Sequence, residues 1–231
     1  MKLLITLLLS FLVYSGYAQE IVFSQDVKSD TVRPTKGPNL KYFTHPYIGL
    51  GFPFYTNEDV TYTKTGSSMI VEYGIRFKRR FTNTFAVGMD LSMNWSAYKI
   101  RQDKGKAFPD SVINKKEKFQ VNSLTPAVYA RINVGKRGNF VGNFMDLGAY
   151  GSWNWKKAHK TTNENDQGER VKVLTSRLTY MESLSYGLLA RIGDNRFVLT
   201  ARYRLSDLFK SSSAIPEVPR FSAGLEVGLF K

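Results

Sequence analysis

Beyond about residue 40, apolar and polar residues alternate along most of this chain. Over 85–95 the alternation is unbroken. Phe85, Val87, Met89, Leu91, Met93 and Trp95 fall on one face of a strand, and Ala86, Gly88, Asp90, Ser92 and Asn94 on the other. Eight runs of this period are present, at about 43–55, 68–80, 85–101, 118–134, 143–158, 172–192, 196–208 and 219–230. Helical periodicity is almost absent. In the fourth run Phe119 and Val121 are out of phase with Leu124 and Val128, which predicts a bulge near Ser123.

The connections alternate in length. "RFTNTF", "GKRGNF" and "GDNR" are tight turns, whereas "RQDKGKAFPDSVINKKEK" and "KTTNENDQGERVK" are long and polar. Short turns at one end and long loops at the other suit an outer-membrane barrel. Greek-key crossings in a soluble sandwich would mix the lengths.

Which row faces inward decides the class. Aromatic residues gather at both strand ends. Trp95, Trp153 and Trp155 lie on the loop side with Tyr98, and Phe85 and Phe197 on the turn side with Phe144. Two such bands around an aliphatic middle match interfacial girdles. The opposite row mixes small residues with mid-strand charges of both signs, as a narrow eight-stranded interior requires. Buried charges must pair, so the expectation is a salt-bridged lumen of Glu72, Arg76, Asp90, Arg131, Asp146, Arg191, Arg202 and Glu226. Within it, Asp90 is expected to meet Arg76 or Arg131. The pattern as a whole predicts an all-β fold, an eight-stranded antiparallel up-and-down transmembrane β-barrel over 41–231.

The chain ends add two expectations. "MKLLITLLLSFLVYSGYAQE" has a basic residue, a short apolar run and small residues before Gln19. It reads as a signal peptide (1–18), cleaved after Ala18. A polar segment with Pro34 and Pro38 follows and is expected to form a periplasmic N-terminal tail (19–40). In "SAGLEVGLFK", Ser222, Gly224, Val227 and Leu229 resemble the C-terminal strand signal read by the barrel assembly machinery.

Composition narrows the chemistry. The 231 residues carry 33 Lys and Arg against 19 Asp and Glu, a net charge of +14, and no cysteine. Disulfides and thiolate chemistry are excluded. The basic excess suits anionic lipid and lipopolysaccharide, and export argues against nucleic acid. The two histidines, His45 and His159, should stand at opposite ends of the barrel. "NENDQGE" does not fit the spacing of an EF-hand loop. No catalytic, cofactor-binding or metal residue is assigned.

On these features residues 41–231 resemble the small eight-stranded outer-membrane barrels of the OmpA/OmpX type. The "YAQ" cleavage region and the Tyr/Asn/Lys-rich strands are most similar to the outer-membrane β-barrel proteins of Bacteroidota, including the PorT-like group. The resemblance implies the outer membrane of a Gram-negative bacterium and a non-enzymatic structural or partner-binding role in secretion or envelope assembly. Eight strands also predict a filled lumen with no open pore. Its partners would be outer-membrane lipids, lipopolysaccharide, the barrel assembly machinery and an envelope protein met through 19–40. Two alternatives remain: a lipid A-modifying enzyme, and a soluble periplasmic β-barrel ligand binder with its apolar rows inside.

Overall fold

The structure, a computed structural model, describes residues 36–230 apart from 56–61, 65, 104–105, 107–108, 110, 136–137, 139, 166 and 214. The expected signal peptide lies outside the described residues, as does the expected tail up to residue 35.

Among the described residues the strands are β1 (Tyr42–Phe54), β2 (Met69–Arg80), β3 (Phe85–Lys99), β4 (Lys116–Val134), β5 (Asn143–Glu164), β6 (Arg170–Ser176), β7 (Leu184–Asp194), β8 (Phe197–Arg204) and β9 (Phe221–Gly228). All the pairings between them are antiparallel. β9 returns to β1, from Tyr47 opposite Gly228 to Phe54 opposite Phe221, and closes the sheet. The ring is β1-β2-β3-β4-β5-β7-β8-β9, an eight-stranded up-and-down barrel. β6 pairs with the far half of β5 and extends that hairpin beyond the ring. Closure gives each strand of the ring two neighbours, so the ring itself leaves no edge to satisfy, and among the described strands only β6, paired with β5 alone, has a free side.

The chain departs from simple alternation in two places. The run expected over 172–192 is not one strand. Arg177 takes a left-handed conformation (φ 60°), and the chain then leaves the sheet and delivers Leu178 and Met181 to the interior. Burial of two large apolar side chains outweighs continued pairing there. The bulge expected near Ser123 falls at that height, with its extra residue on the facing strand β5. β4 keeps step with β3 from Lys118 to Ile132. Its pairing with β5 slips between Asn122 and Ser123, leaving Trp155 as the extra residue. Phe119 and Val121 look out of phase because they face inward, at a height where the interior itself turns apolar.

Exposure settles the orientation of the rows. Ile75, Met89, Leu91, Val128, Leu147, Leu188 and Leu225 stand outward and are more than half exposed, whereas Arg76, Asp90, Arg131, Asp146, Arg191 and Glu226 are buried. A lipocalin-like binder would have these sides reversed. Trp95, Trp153, Trp155, Phe85 and Phe197 project outward and are exposed. Tyr98 and Phe144, expected in the same bands, are buried inside, because their even positions put them on the rows of Asp90 and Asp146. In β9, Ser222 and Gly224 share the inward row with Glu226, and Leu229 projects outward half-exposed.

The interior is layered. At the turn side Phe43, Val141, Phe144 and Val198 pack with Phe230. Charged residues fill the middle. At the loop side a second apolar cluster of Tyr98, Ile100, Phe119, Leu178, Met181 and Phe209, with residues around them, caps the barrel.

Candidate functional site

The charged middle layer is assembled from seven strands. β2 supplies Glu72 and Arg76, β3 Asp90, β4 Arg131, β5 Asp146, β7 Arg191, β8 Arg202 and β9 Glu226. Register creates some contacts directly, since Arg76 lies opposite Asp90 and Asp146 lies between Arg131 and Arg191. The structure brings all eight together. Arg76 donates from Nε to Asp90 at 3.1 Å and from Nη2 to Glu226 at 2.6 Å. Arg131 holds Asp146 with both Nε (2.6 Å) and Nη2 (2.8 Å). Arg191 reaches across the lumen to hydrogen-bond Asp90, with its Nη1 3.6 Å from Asp146 and its Nε 3.5 Å from Glu226. Arg202 Nη2 donates to Glu72 at 2.7 Å and lies 3.8 Å from Glu226. Asp90 thus pairs with Arg76 and Arg191, while Arg131 is taken by Asp146.

Four guanidiniums balance four carboxylates, so the layer carries no net charge. That balance makes burial tolerable, because an uncompensated charge there would cost several kcal/mol. Aromatic faces supply further solvation. The Arg131 guanidinium lies 3.5 Å from the Phe144 ring centre and that of Arg76 4.4 Å from the Tyr47 ring. Tyr47 also donates its hydroxyl to Glu72 at 2.8 Å.

Small residues give these rings their room. Tyr47 faces Gly74, Tyr129 faces Gly88, Phe144 faces Gly193 and Tyr150 faces Gly187 across adjacent strands. At each glycine a Cβ would fall between 2.3 and 2.8 Å from the ring it faces. A ring folded over a facing glycine fills the narrow lumen without splaying the strands. The residue types were visible in the sequence as an inward row, but the pairing of ring with glycine depends on register.

Above the charged layer, Asn94, Ser96, Ser123, Ser152, Asn154 and Ser185 line a polar space of about 70 Å³ beneath the apolar cap. The segment after β8 is tied down by Glu217, which accepts from Arg204 at 2.8 Å and from the Leu208 amide at 3.0 Å. Arg204 is buried here, whereas Arg177, after β6, is exposed.

Sequence reasoning missed a polar cluster at the loop-side mouth. Glu117 is buried on the inward row of β4 and accepts from His159 (2.7 Å), Lys106 (2.6 Å), Gln102 (2.8 Å) and Asn114 (2.9 Å). The bulge at Trp155 makes this possible by shifting the phase of β5, which sets His159 beside inward-facing Phe119. Burial disfavours the Glu117 carboxylate, but the hydrogen bonds from His159, Lys106, Asn114 and Gln102 outweigh it and lower its pKa to about 2. The one signal in the sequence was the phase change at Phe119 and Val121. His45 lies at the other end, packed between Phe43 and Phe230 with ring centres 4.8 Å away on each side. In "NENDQGE", Asn165 Oδ1 accepts from the Gln167 and Glu169 amides, and Glu164 pairs with Lys115 at 2.6 Å. Those contacts make the stretch a hairpin turn.

At the turn side the first described residues lie against the barrel. Lys78 Nζ donates to the Pro38 carbonyl at 2.5 Å, and Asn39 Nδ2 to the Gly138 carbonyl at 2.8 Å.

No family model matches the chain, and neither does any curated protein. Among solved structures it is similar to Ail, the attachment invasion locus protein of Yersinia pestis, crystallised with the heparin analogue sucrose octasulfate. The likeness is 14% identity over 80% of this chain and 95% of that one, with a TM-score of 0.35. At that distance the fold stands on this chain's own strand register.

Proposed function

We propose that this chain is a non-enzymatic outer-membrane β-barrel of a Gram-negative envelope, acting as a structural or partner-binding subunit with a filled lumen. The observation that carries this reading is the reversal of sides: exposed aliphatic rows outside and a charge-balanced, ion-paired layer inside. Such a surface is stable only against hydrocarbon, and the outward Trp and Phe residues at its two ends suit the headgroup layers. Lipid and lipopolysaccharide are then its surroundings. Residues 1–18 would direct export, and β9, with Ser222, Gly224, Val227 and Leu229, would be read by the barrel assembly machinery.

Eight strands enclose a lumen that side chains fill, so the barrel is not a diffusion pore. The contact surface for an envelope partner is the tail 19–40, whose last residues meet the turn-side rim. A role in secretion or envelope assembly, as in the PorT-like group of Bacteroidota, follows from the sequence resemblance. Glu117 has four donors of which His159 is one, and this favours a structural role for His159 over lipid A chemistry.

Three measurements test the reading together. The protein should fractionate with the outer membrane, run faster on gels before heating than after, and give no steady conductance in planar bilayers. Recovery in the soluble fraction would sink the barrel assignment, and a stable open current would sink the filled lumen. An altered lipid A acyl pattern in a deletion strain would restore the enzyme alternative.

A further inference from the structure

The outer wall beyond the loop-side tryptophans carries a row of like charges. Lys99 on β3, Lys118 on β4 and Lys160 on β5 occupy directly paired positions on the outward face. Side chains at such positions stand about 5 Å apart, and like charges there repel. Two residues along, Lys116 and Lys172 flank Thr162 on the same face, and Arg170, the first residue of β6, follows. These residues line an open groove of about 460 Å³ whose walls hold eight basic side chains and one carboxylate, Glu117. Glu117 does not neutralise them, because it turns inward to Lys106 and His159. Glu164, at the end of β5, is engaged by Lys115.

Nothing in the fold requires this repulsion, since glutamine or threonine would satisfy a strand equally well at these exposed positions. A ligand with several negative charges would relieve it. Position narrows the ligand further. Lys99 is four residues beyond Trp95, about 13 Å along the strand. If the tryptophans mark the hydrocarbon boundary, the row faces sideways into the headgroup and sugar layer of the outer leaflet.

We propose that this groove binds the phosphorylated saccharide headgroup of a glycolipid standing in the adjoining leaflet, with Lys99, Lys118 and Lys160 as its phosphate contacts. The proposal rests on the outer-membrane reading above and names the ligand class of one face of that barrel. The geometry suits several phosphates held by a sugar scaffold, each bridging two ammoniums on adjacent strands.

The test uses the full chain folded in detergent micelles. It is titrated with lipopolysaccharide carrying its phosphates, with the same material after dephosphorylation, and with a soluble sulfated oligosaccharide. Phosphorylated lipopolysaccharide should bind more tightly than the dephosphorylated form, and added salt should weaken it. A cation at an anionic surface contributes about fivefold in affinity, so K99Q/K118Q/K160Q together should lose roughly 100-fold. K118Q alone should lose about fivefold and serves if the triple variant folds poorly. K41Q/R79Q at the turn side should leave binding unchanged. Equal binding by wild type and the row variants, or indifference to dephosphorylation, would overturn the proposal. Row-dependent binding of the sulfated oligosaccharide without lipopolysaccharide binding would replace the glycolipid with a soluble polyanion and so overturn it too. Failure of the barrel reading itself is separate, because it would appear as lost heat-modifiable mobility in the wild type.

Discussion

Replacing Arg191 by Met tests whether the lumen is held by balanced charge. The Arg191 side chain is fully buried. It hydrogen-bonds Asp90 and stands 3.6 Å from Asp146 and 3.5 Å from Glu226. Its removal leaves three guanidiniums against four carboxylates. Each carboxylate keeps a partner, however: Asp90 and Glu226 keep Arg76, Asp146 keeps Arg131 and Glu72 keeps Arg202. Breaking a buried pair costs about 3–5 kcal/mol when one charge is stranded. The retained partners place R191M at the lower end, near 3 kcal/mol. R131M should cost more, about 4–5 kcal/mol, because Asp146 would keep only the longer contact to Arg191. The decisive experiment is the double-mutant cycle with D90N, which restores three charges of each sign. Urea unfolding of the barrel in lipid vesicles, followed by tryptophan fluorescence, should give a coupling of about 2 kcal/mol between R191M and D90N. A loss below about 0.5 kcal/mol for R191M, or simple additivity in the cycle, would refute the charge-balance account.

Three further outcomes are expected. Leu91 is half-exposed in the middle of the outward row of β3, so L91R should cost about 2–4 kcal/mol in a bilayer, and an unchanged unfolding midpoint there would argue against lipid contact. At Gly148 a Cβ would lie 2.2 Å from the Val128 carbonyl oxygen and 2.9 Å from Tyr129 Cα, whereas at Gly51 the nearest atom is 3.7 Å away. G148A should therefore destabilise by about 1–3 kcal/mol and G51A by much less in the same unfolding assay. Because the folded pKa of Glu117 is about 2 against an ordinary 4.5, its ionised form stabilises the fold. That contribution, at most ~3 kcal/mol, is complete above pH 4.5 and is lost as pH falls through about 2. E117Q should flatten the acid limb of the thermal midpoint between pH 5 and 2, and an unchanged limb would remove Glu117 from the account.

Much of the barrel is readable along the chain, because a strand with two unlike faces has to alternate. The antiparallel pairing of sequential strands needs no special motif either, since strands joined by tight turns pair that way by default. Where interior and exterior are both apolar, the pattern loses its meaning. Phe119, Val121 and Tyr98 face the cap, and nothing in their polarity distinguishes them from residues facing outward. The break at Arg177 was hidden for a related reason: Leu178 and Tyr180 continue the alternation although the backbone has left the sheet. The charged row is periodic and can be read directly, but partner choice within it cannot. Arg191 meets Asp90 from across the lumen, at a separation of 101 residues.

What the sequence determined by itself was therefore one-dimensional: the number of ring strands, the two faces of each, and the end at which the long loops lie. Period two and turn length are local properties, and local chemistry sets them. Only the tertiary structure decided which guanidinium holds which carboxylate, which glycine makes room for which ring, and that a slip at Trp155 turns His159 toward Glu117. Those choices depend on register between strands and on distance across the lumen, and both exist only once the sheet has closed.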